Sequence, residues 1–372
     1  MHAASDTATD LAGGRLTVDL GALAANWRSV AERVGPKVEA SAVIKADGYG
    51  LGIVAVARAL AAAGCRTFFV AVASEGIAVR AAVPDAVIYV LAGLLPGTAA
   101  AHAAHDLRPV LSSRAEVDEW AAAKRAGMPT NSAIHIDTGM NRLGLSMDEA
   151  NALAADRDLV AAVSPSLLMS HLACSDEPEH PMNRTQVERF RSVRALFPGI
   201  PASLANSGGV LLGPDWHFDM VRPGIALYGG DIVAGVRTPM RPVVTLEGRV
   251  LLVRDAKVGE TAGYGATRTF DRPTRLAVLG LGYADGFHRI TGRAGSGSAR
   301  AFIRGSSAPF AGRVSMDLIT IDVTDIPGVA RGDWAELFGP NLPIDEAASH
   351  AGTIGYEFLT GLGRRYPRRY VV

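Results

Sequence analysis

Only two cysteines, Cys65 and Cys174, occur in the 372 residues, too few for a disulfide framework and consistent with a reducing compartment. Net charge is equally scarce. The 37 basic residues balance 37 acidic ones, so no field of one sign would draw the chain to nucleic acid or an anionic membrane. No apolar run reaches the roughly 18 residues that a membrane-spanning helix requires. The first fourteen residues carry Asp6 and Asp10 and lack the apolar stretch of a signal peptide, so 1–14 reads as a flexible tail. These absences predict a cytoplasmic protein whose partners are small molecules or copies of itself. Disorder is excluded too, because 48% of the residues are apolar and 20% charged. At about 150 residues per domain, the length allows two or three domains.

From about residue 40 to 230 a rhythm recurs: a short β-branched run, a polar or glycine-bearing turn, then an alanine-rich stretch with helical spacing. Eight such runs are present, namely 41–45, 67–72, 87–91, 109–112, 133–137, 167–171, 203–206 and 217–221. They predict an α/β fold of the (β/α)₈ barrel type, not an open doubly wound sheet. No dinucleotide-binding glycine fingerprint follows the first run. After Gly230 the rhythm gives way to strand-like runs without long helices, at 242–253, 275–282, 301–303, 314–322 and 334–338. The predicted domains are therefore a barrel over 15–239 and a smaller, mainly β domain over 240–372. The run GRAGSGS at 292–298 reads as a flexible turn, and a short helix is expected near Ile344.

Barrels of this type build their sites from residues that close the strands. Here those residues are Lys45 on the first strand, Asp137 and Arg142 after the fifth, and His171 on the sixth. Asn206-Ser207-Gly208-Gly209 follows the seventh and Arg222-Pro223-Gly224-Ile225 the eighth. A lysine closing an apolar strand is costly to bury charged. A depressed pKa frees its amine for Schiff-base chemistry, the alternative being a side chain that snorkels out of the mouth. The two glycine-bearing turns lie where barrels bind phosphate, although ordinary turns would read the same. Together they admit either pyridoxal 5′-phosphate or a phosphorylated carbonyl substrate.

The wording of these segments resembles a family. AVIKADGYGLG, HIDTGMNRLG, SHLACSDE, LANSGG, VRPGIALYGG, AGYGATR, GYADG, GRVSMD and GYEFLTGLGRR occur in the order found in alanine racemases, across about residues 15 to 370. The resemblance implies a pyridoxal 5′-phosphate-binding barrel and a C-terminal β domain joined by an N-terminal strand, here 16–20. It also implies a homodimer whose active sites each draw on both chains. Lys45 would carry the cofactor and act as one base, and Tyr264, reaching in from the partner subunit, would be the other. Tyr49, Ser207, Gly224, Ile225 and Tyr356 would hold the phosphate, with Asn206 in the same turn. Arg142 and the backbone of Met316 would grip the substrate carboxylate, and Tyr283 and Asp317 would line the entry.

Racemisation removes a proton on one face of a carbon and returns one on the other, so two bases on opposite sides suit it. A tyrosine, with an ordinary pKa of about 10, needs positive charge nearby to serve, here through His171 and Arg222. Arg222 is expected opposite the pyridine nitrogen, where it cannot accept a proton. The chain departs from the family at His135. Many members have a lysine there whose carbamate orients the arginine matching Arg142, so in this chain a bound anion or Asn141 is expected to take that role.

No metal is expected, because the spacings His102-x-x-His105 and His171-x-x-Cys174 lack a second ligand pair. Arg364, Arg365, Arg368 and Arg369 read as a solvated strand face. The resulting expectation is a racemase for L- and D-alanine supplying cell-wall peptide, with an alanine/serine racemase as the near alternative. A Schiff-base aldolase or a non-catalytic pyridoxal phosphate carrier would share Lys45 and the phosphate loops but would have no use for Tyr264.

Overall fold

The structure is a computed structural model that describes residues 11–233, 235–292 and 299–372. It divides into two compact units, one spanning Leu23–Met240 and the other joining the residues up to Ala22 to Arg241–Val372.

The first strand, β1 (Gly14–Asp19), belongs to the second unit. In the Leu23–Met240 unit the strands are β2 (Glu39–Ala40), β3 (Ala42–Val43), β4 (Thr67–Val70), β5 (Val87–Val90) and β6 (Arg108–Leu111). They continue with β7 (Ser132–His135), β8 (Pro165–Met169), β9 (Ala202–Ser203) and β10 (Met220–Val221). Strands β3 to β9 form one parallel ladder in chain order, and β10 pairs in parallel with β2. Backbone bonds from Asp219 and Arg222 to Ala202 and Ala205 join β9 to β10. Others from Ser41 and Val43 to Val221 and Pro223 complete the circle. The result is the α/β barrel expected from the eight runs.

Its strands are buried on both faces, as in TFFV of β4, where every residue is buried. The intervening helices turn one apolar stripe inward. In Ile53–Ala63 the stripe is Ile53, Val56, Ala57 and Leu60, and Gly64 ends the helix at φ 116°. Trp120, Leu153, Leu168 and Phe190 pack in a common layer between strands and helices. Each such side chain contributes roughly 1.5–3 kcal/mol by its burial.

The paired segments are shorter than the runs that predicted them. Lys45, Asp137 and His171 lie just beyond the ends of β3, β7 and β8, and Asn206 lies past β9. Single bonds such as Ile44 N to Phe69 O and Ser170 N to Ser203 O prolong the ladder briefly, after which the backbone bends over the mouth. The expected 217–221 run contracts to β10, because His217 is buried with its Nε2 on the Val210 carbonyl.

In the second unit, β11 (Val244–Ala256) pairs with β1 and later with β14 (Thr274–Leu279). Register shifts near Leu246 and Val250 bend this long strand, so that it serves neighbours on different sides. The short β12 (Thr261–Ala262) and β13 (Arg268–Thr269) pair with each other. The sheet is completed by β15 (Arg300–Ile303), β16 (Ser306–Pro309), β17 (Ile319–Asp322), β18 (Trp334–Phe338) and β19 (Arg368–Val371). β1 lies between β11 and β19. It alternates buried and half-buried residues, and Arg15 pairs with Glu247 across the ladder at 2.5 Å.

The expected strand 314–322 is β17 alone. Ser315 and Met316 give their carbonyls to the amides of Tyr283 and Ala284, and Ser315 N closes a turn on Leu318 O. A helix does start at Ile344. The 292–298 turn lies, apart from Gly292, outside the described residues, as do residues 1–10 of the tail. No helix among the described residues is long and apolar enough to cross a membrane.

Candidate active site

The barrel mouth gathers the residues that follow its strands. Lys45 opens a turn in which Ala46, Asp47, Gly48, Tyr49 and Gly50 all have positive φ, from 55° to 79°. This is a left-handed turn, unfavourable for L-residues, and its neighbours hold it. Glu75 accepts from Asp47 N at 3.1 Å and from Ala71 N at 2.8 Å, while Asp47 Oδ1 accepts from Ile53 N at 2.9 Å. Tyr49 is buried and stacks on Tyr228 with ring centroids 4.3 Å apart.

Lys45 remains open to solvent, yet the walls of the mouth crowd it. Desolvation, joined by repulsion from Arg142 and opposed by Glu75, lowers its pKa below the ordinary lysine value. Its amine therefore loses its proton more readily than a surface lysine does.

Arg222 is almost wholly enclosed, 2% exposed. It donates to Ser203 Oγ at 2.5 Å, to Ser170 O at 2.5 Å and to Leu204 O at 3.3 Å, and its guanidinium lies 5.9 Å from the centre of the Phe69 ring. No carboxylate pairs with it among the described residues. Burial pushes its pKa down to about 9, which still leaves it a cation at neutral pH. It also donates to His171 Nδ1 at 3.4 Å, which leaves the imidazole proton on Nε2. Burial, followed by Arg222 and Arg142, holds His171 well below the usual histidine pKa, so the ring is neutral. His135 is 8% exposed and shares this environment. Burial and then Arg222 push it down to about 4, against the pull of Asp137.

The two glycine turns are tied together by a single hydroxyl. Ser207 Oγ accepts from Gly224 N at 2.9 Å and from Ala226 N at 3.2 Å, leaving its own proton to donate. Asn206 caps the helix Ser207–Leu212 by accepting from Gly209 N at 3.0 Å, and Ser175 Oγ donates to the same oxygen. Gly224 faces Tyr49 so closely that a Cβ would lie 2.3 Å from the phenol oxygen. Ile225, buried, continues the turn. Gly224→Ala is expected to cost about 1–3 kcal/mol by overpacking. The check is the urea midpoint, and an unchanged value would mean that Tyr49 yields freely.

Arg142 is exposed on a loop closed at its root by Asp137 N on Leu145 O and Leu145 N on His135 O, each 2.8 Å. Asp137 Oδ1 accepts from Gly139 N and Met140 N. These bonds set the loop's start, and Asn141 bends it with φ 55°.

The second unit holds its own constellation. Tyr264, Met316 and Asp317 line a cleft of about 420 Å³ with Gly263, Ser315 and Leu318. Tyr264 is 68% exposed there. Tyr283 is joined to the same loop through its amide on Ser315 O. Asp317 pairs with Arg365 at 2.7 Å, so Arg365 belongs to this ion pair and not to a bare strand face. Tyr356, on the helix Gly355–Thr360, is not among the cleft's lining residues. Glu75, Tyr228, Ser170 and Ser203 had not been expected at the mouth. Tyr228 lies within the VRPGIALYGG segment, whereas the others are small or polar residues without a pattern. The spacings at His102 and Cys174 gather no metal cluster among the described residues.

Comparison with known proteins covers both units. The family described as alanine racemase, N-terminal domain, matches residues 18–231, and its C-terminal domain matches residues 243–370. An alanine racemase of Rhizobium meliloti is 53% identical over 369 residues, covering 97% of each chain. One from Methylobacterium sp. is 54% identical, covering 98% of this chain and all of its own. The solved alanine racemase of Bartonella henselae, with covalently bound pyridoxal phosphate, superposes with a TM-score of 0.91 at 38% identity, over 97% of this chain and 100% of that one.

Proposed function

The chain belongs to the alanine racemase family, and from that premise we propose how its residues interconvert L- and D-alanine. Pyridoxal 5′-phosphate is the cofactor, and when bound it withdraws electrons from the substrate carbon and so acidifies that carbon's proton.

The barrel mouth fits such a group. It offers a lysine amine of lowered pKa, a pair of amide-rich turns tied by Ser207, and a glycine that leaves no space for a side chain beside Tyr49. Lys45 would carry the cofactor. Tyr49, Ser207, Gly224 and Ile225, with Tyr356, would hold its phosphate, while Asn206 fixes the Ser207 turn. Arg222 would serve the ring nitrogen as a donor, since a guanidinium cannot take up a proton.

Arg142 and the Met316 backbone receive the substrate carboxylate, for which a planar guanidinium is suited. Tyr283 and Asp317 line the approach. Lys45 Nζ moves the proton on one face of the substrate carbon, and Tyr264 Oη of the partner subunit moves it on the other. His171, neutral and with its proton on Nε2, presents a donor to the Tyr264 oxygen and is backed by Arg222. The working protein is a cytoplasmic homodimer supplying D-alanine for cell-wall peptide.

The observation that carries this reading is Lys45, just past the end of a barrel strand with its pKa lowered by burial, in one mouth with a buried arginine that has no carboxylate partner among the described residues. A chiral assay of the twenty amino acids is its test. Alanine should racemise fastest, with serine slower by about 10- to 100-fold, the discrimination a pocket achieves against one added small group. No turnover of alanine would overturn the assignment, and equal rates would make the enzyme a small-amino-acid racemase.

A further inference from the structure

The helix Pro181–Arg194 buries two polar residues, Asn183 and Gln186, beside Val187, Phe190 and Val193. Gln186 is 0% exposed and fully bonded. Its Oε1 accepts from Ala173 N at 2.8 Å, and its Nε2 donates to His171 O at 2.9 Å and to Thr138 Oγ1 at 3.1 Å. Thr138, itself buried, shares a 2.7 Å hydroxyl bond with Ser170, whose carbonyl accepts from Arg222. One turn along the helix, Arg189 donates to Thr138 O at 3.0 Å.

A buried amide is costly unless satisfied, and an apolar side chain of similar volume would fill the space at less risk. This amide instead holds the main chain immediately after the His171 side chain, at the His171 carbonyl and at Ala173 N, and reaches Ser170 on the other side only through the Thr138 hydroxyl. Through Thr138 it also holds the first residues of the loop that carries Arg142.

We propose that Gln186, acting through Thr138, is a positioning residue for the reaction: it fixes the His171 imidazole against the Arg222 guanidinium and anchors the root of the Arg142 loop. With His135 closing the strand before it, the loop that carries Arg142 is set at its beginning by this clasp. The proposal rests on the racemase reading of the barrel mouth.

Three variants of the holoenzyme test it. Gln186→Leu removes every bond, Thr138→Val removes only the hydroxyl, and Thr138→Ser restores it. With the cofactor bound stoichiometrically, the first two are expected to lose about 10- to 100-fold in kcat/KM for alanine, as misplaced groups do. KM should rise as Arg142 loses its anchored loop. The pH profile should move as His171 shifts relative to Arg222, Arg142, His135 and Lys45, the charged and titratable groups that act on it. The ¹⁵N resonances of His171 should move in Thr138→Val and return in Thr138→Ser. Wild-type kinetics, pH profile and His171 resonances in Thr138→Val, with or without a lower melting temperature, would reduce the clasp to a structural contact. Should Gln186→Leu fail to fold, the two Thr138 variants decide. An inactive wild-type protein would defeat the racemase reading, while the His171 resonances would still report on the clasp.

Discussion

Lys45→Ala, loaded with pyridoxal phosphate, is expected to racemise alanine at least about 10³-fold more slowly than the wild-type protein, the loss typical of a removed general base. It should also fail to keep the cofactor through dialysis. Tyr264→Phe should keep the cofactor and lose comparable activity. If the two residues meet across a two-fold dimer, each inactive chain carries what the other lacks. Chains mixed in equal amounts, dissociated and allowed to pair at random would give about half mixed dimers, each with one site intact and one lacking both bases. About a quarter of wild-type activity should return if the sites act independently. Activity no higher than the summed backgrounds, with mixed dimers confirmed by mass, would put Tyr264 in the same subunit as its lysine or outside the site.

The second large effect is acid sensitivity. In the folded chain His135 is held down to about 4, whereas unfolding frees it to titrate near its usual 6.5. Between those values the unfolded state binds more protons, so stability present above about pH 6.5 is lost as the pH falls toward 4. The shift corresponds to about 3 kcal/mol for this one buried group. His171 is displaced in the same direction and adds to the loss. Urea unfolding at several pH values should therefore show a steep decline over this window in the wild type and a shallower one in His135→Leu. Equal slopes would show that His135 does not stay neutral inside the barrel.

The barrel was legible because its strands are short, apolar and buried on both faces, so that TFFV and VIYV stand out between alanine-rich helices. The candidate residues were legible where a motif carried them. What escaped was the support around them. Gln186 sits between Thr185 and Val187 in a mostly polar helix and reads as a surface residue, yet it is fully buried. Ser170 and Ser203 hold Arg222 through one carbonyl and one hydroxyl, contacts that leave no periodic trace. The 314–318 segment looked like strand because it is partly apolar, but its carbonyls are spent on Tyr283 and Ala284. Left-handed geometry at Ala46, Asp47 and Tyr49 was hidden for a simpler reason: none of these residues is glycine.

The run from Ala46 to Gly50 is the longest left-handed stretch among the described residues. Ala46 there occupies the basin that a D-amino acid would choose, at a disadvantage of about 1–2 kcal/mol for the L-form. The hand of the backbone beside Lys45 is thus opposite to that of the helices around the barrel. In chemical synthesis a D-alanyl residue would be at ease at this position, where elsewhere in a helix or strand it would be disruptive. The segment therefore has no regular substitute: neither a right-handed helix nor an extended chain of L-residues can follow the same path from Lys45 to Tyr49.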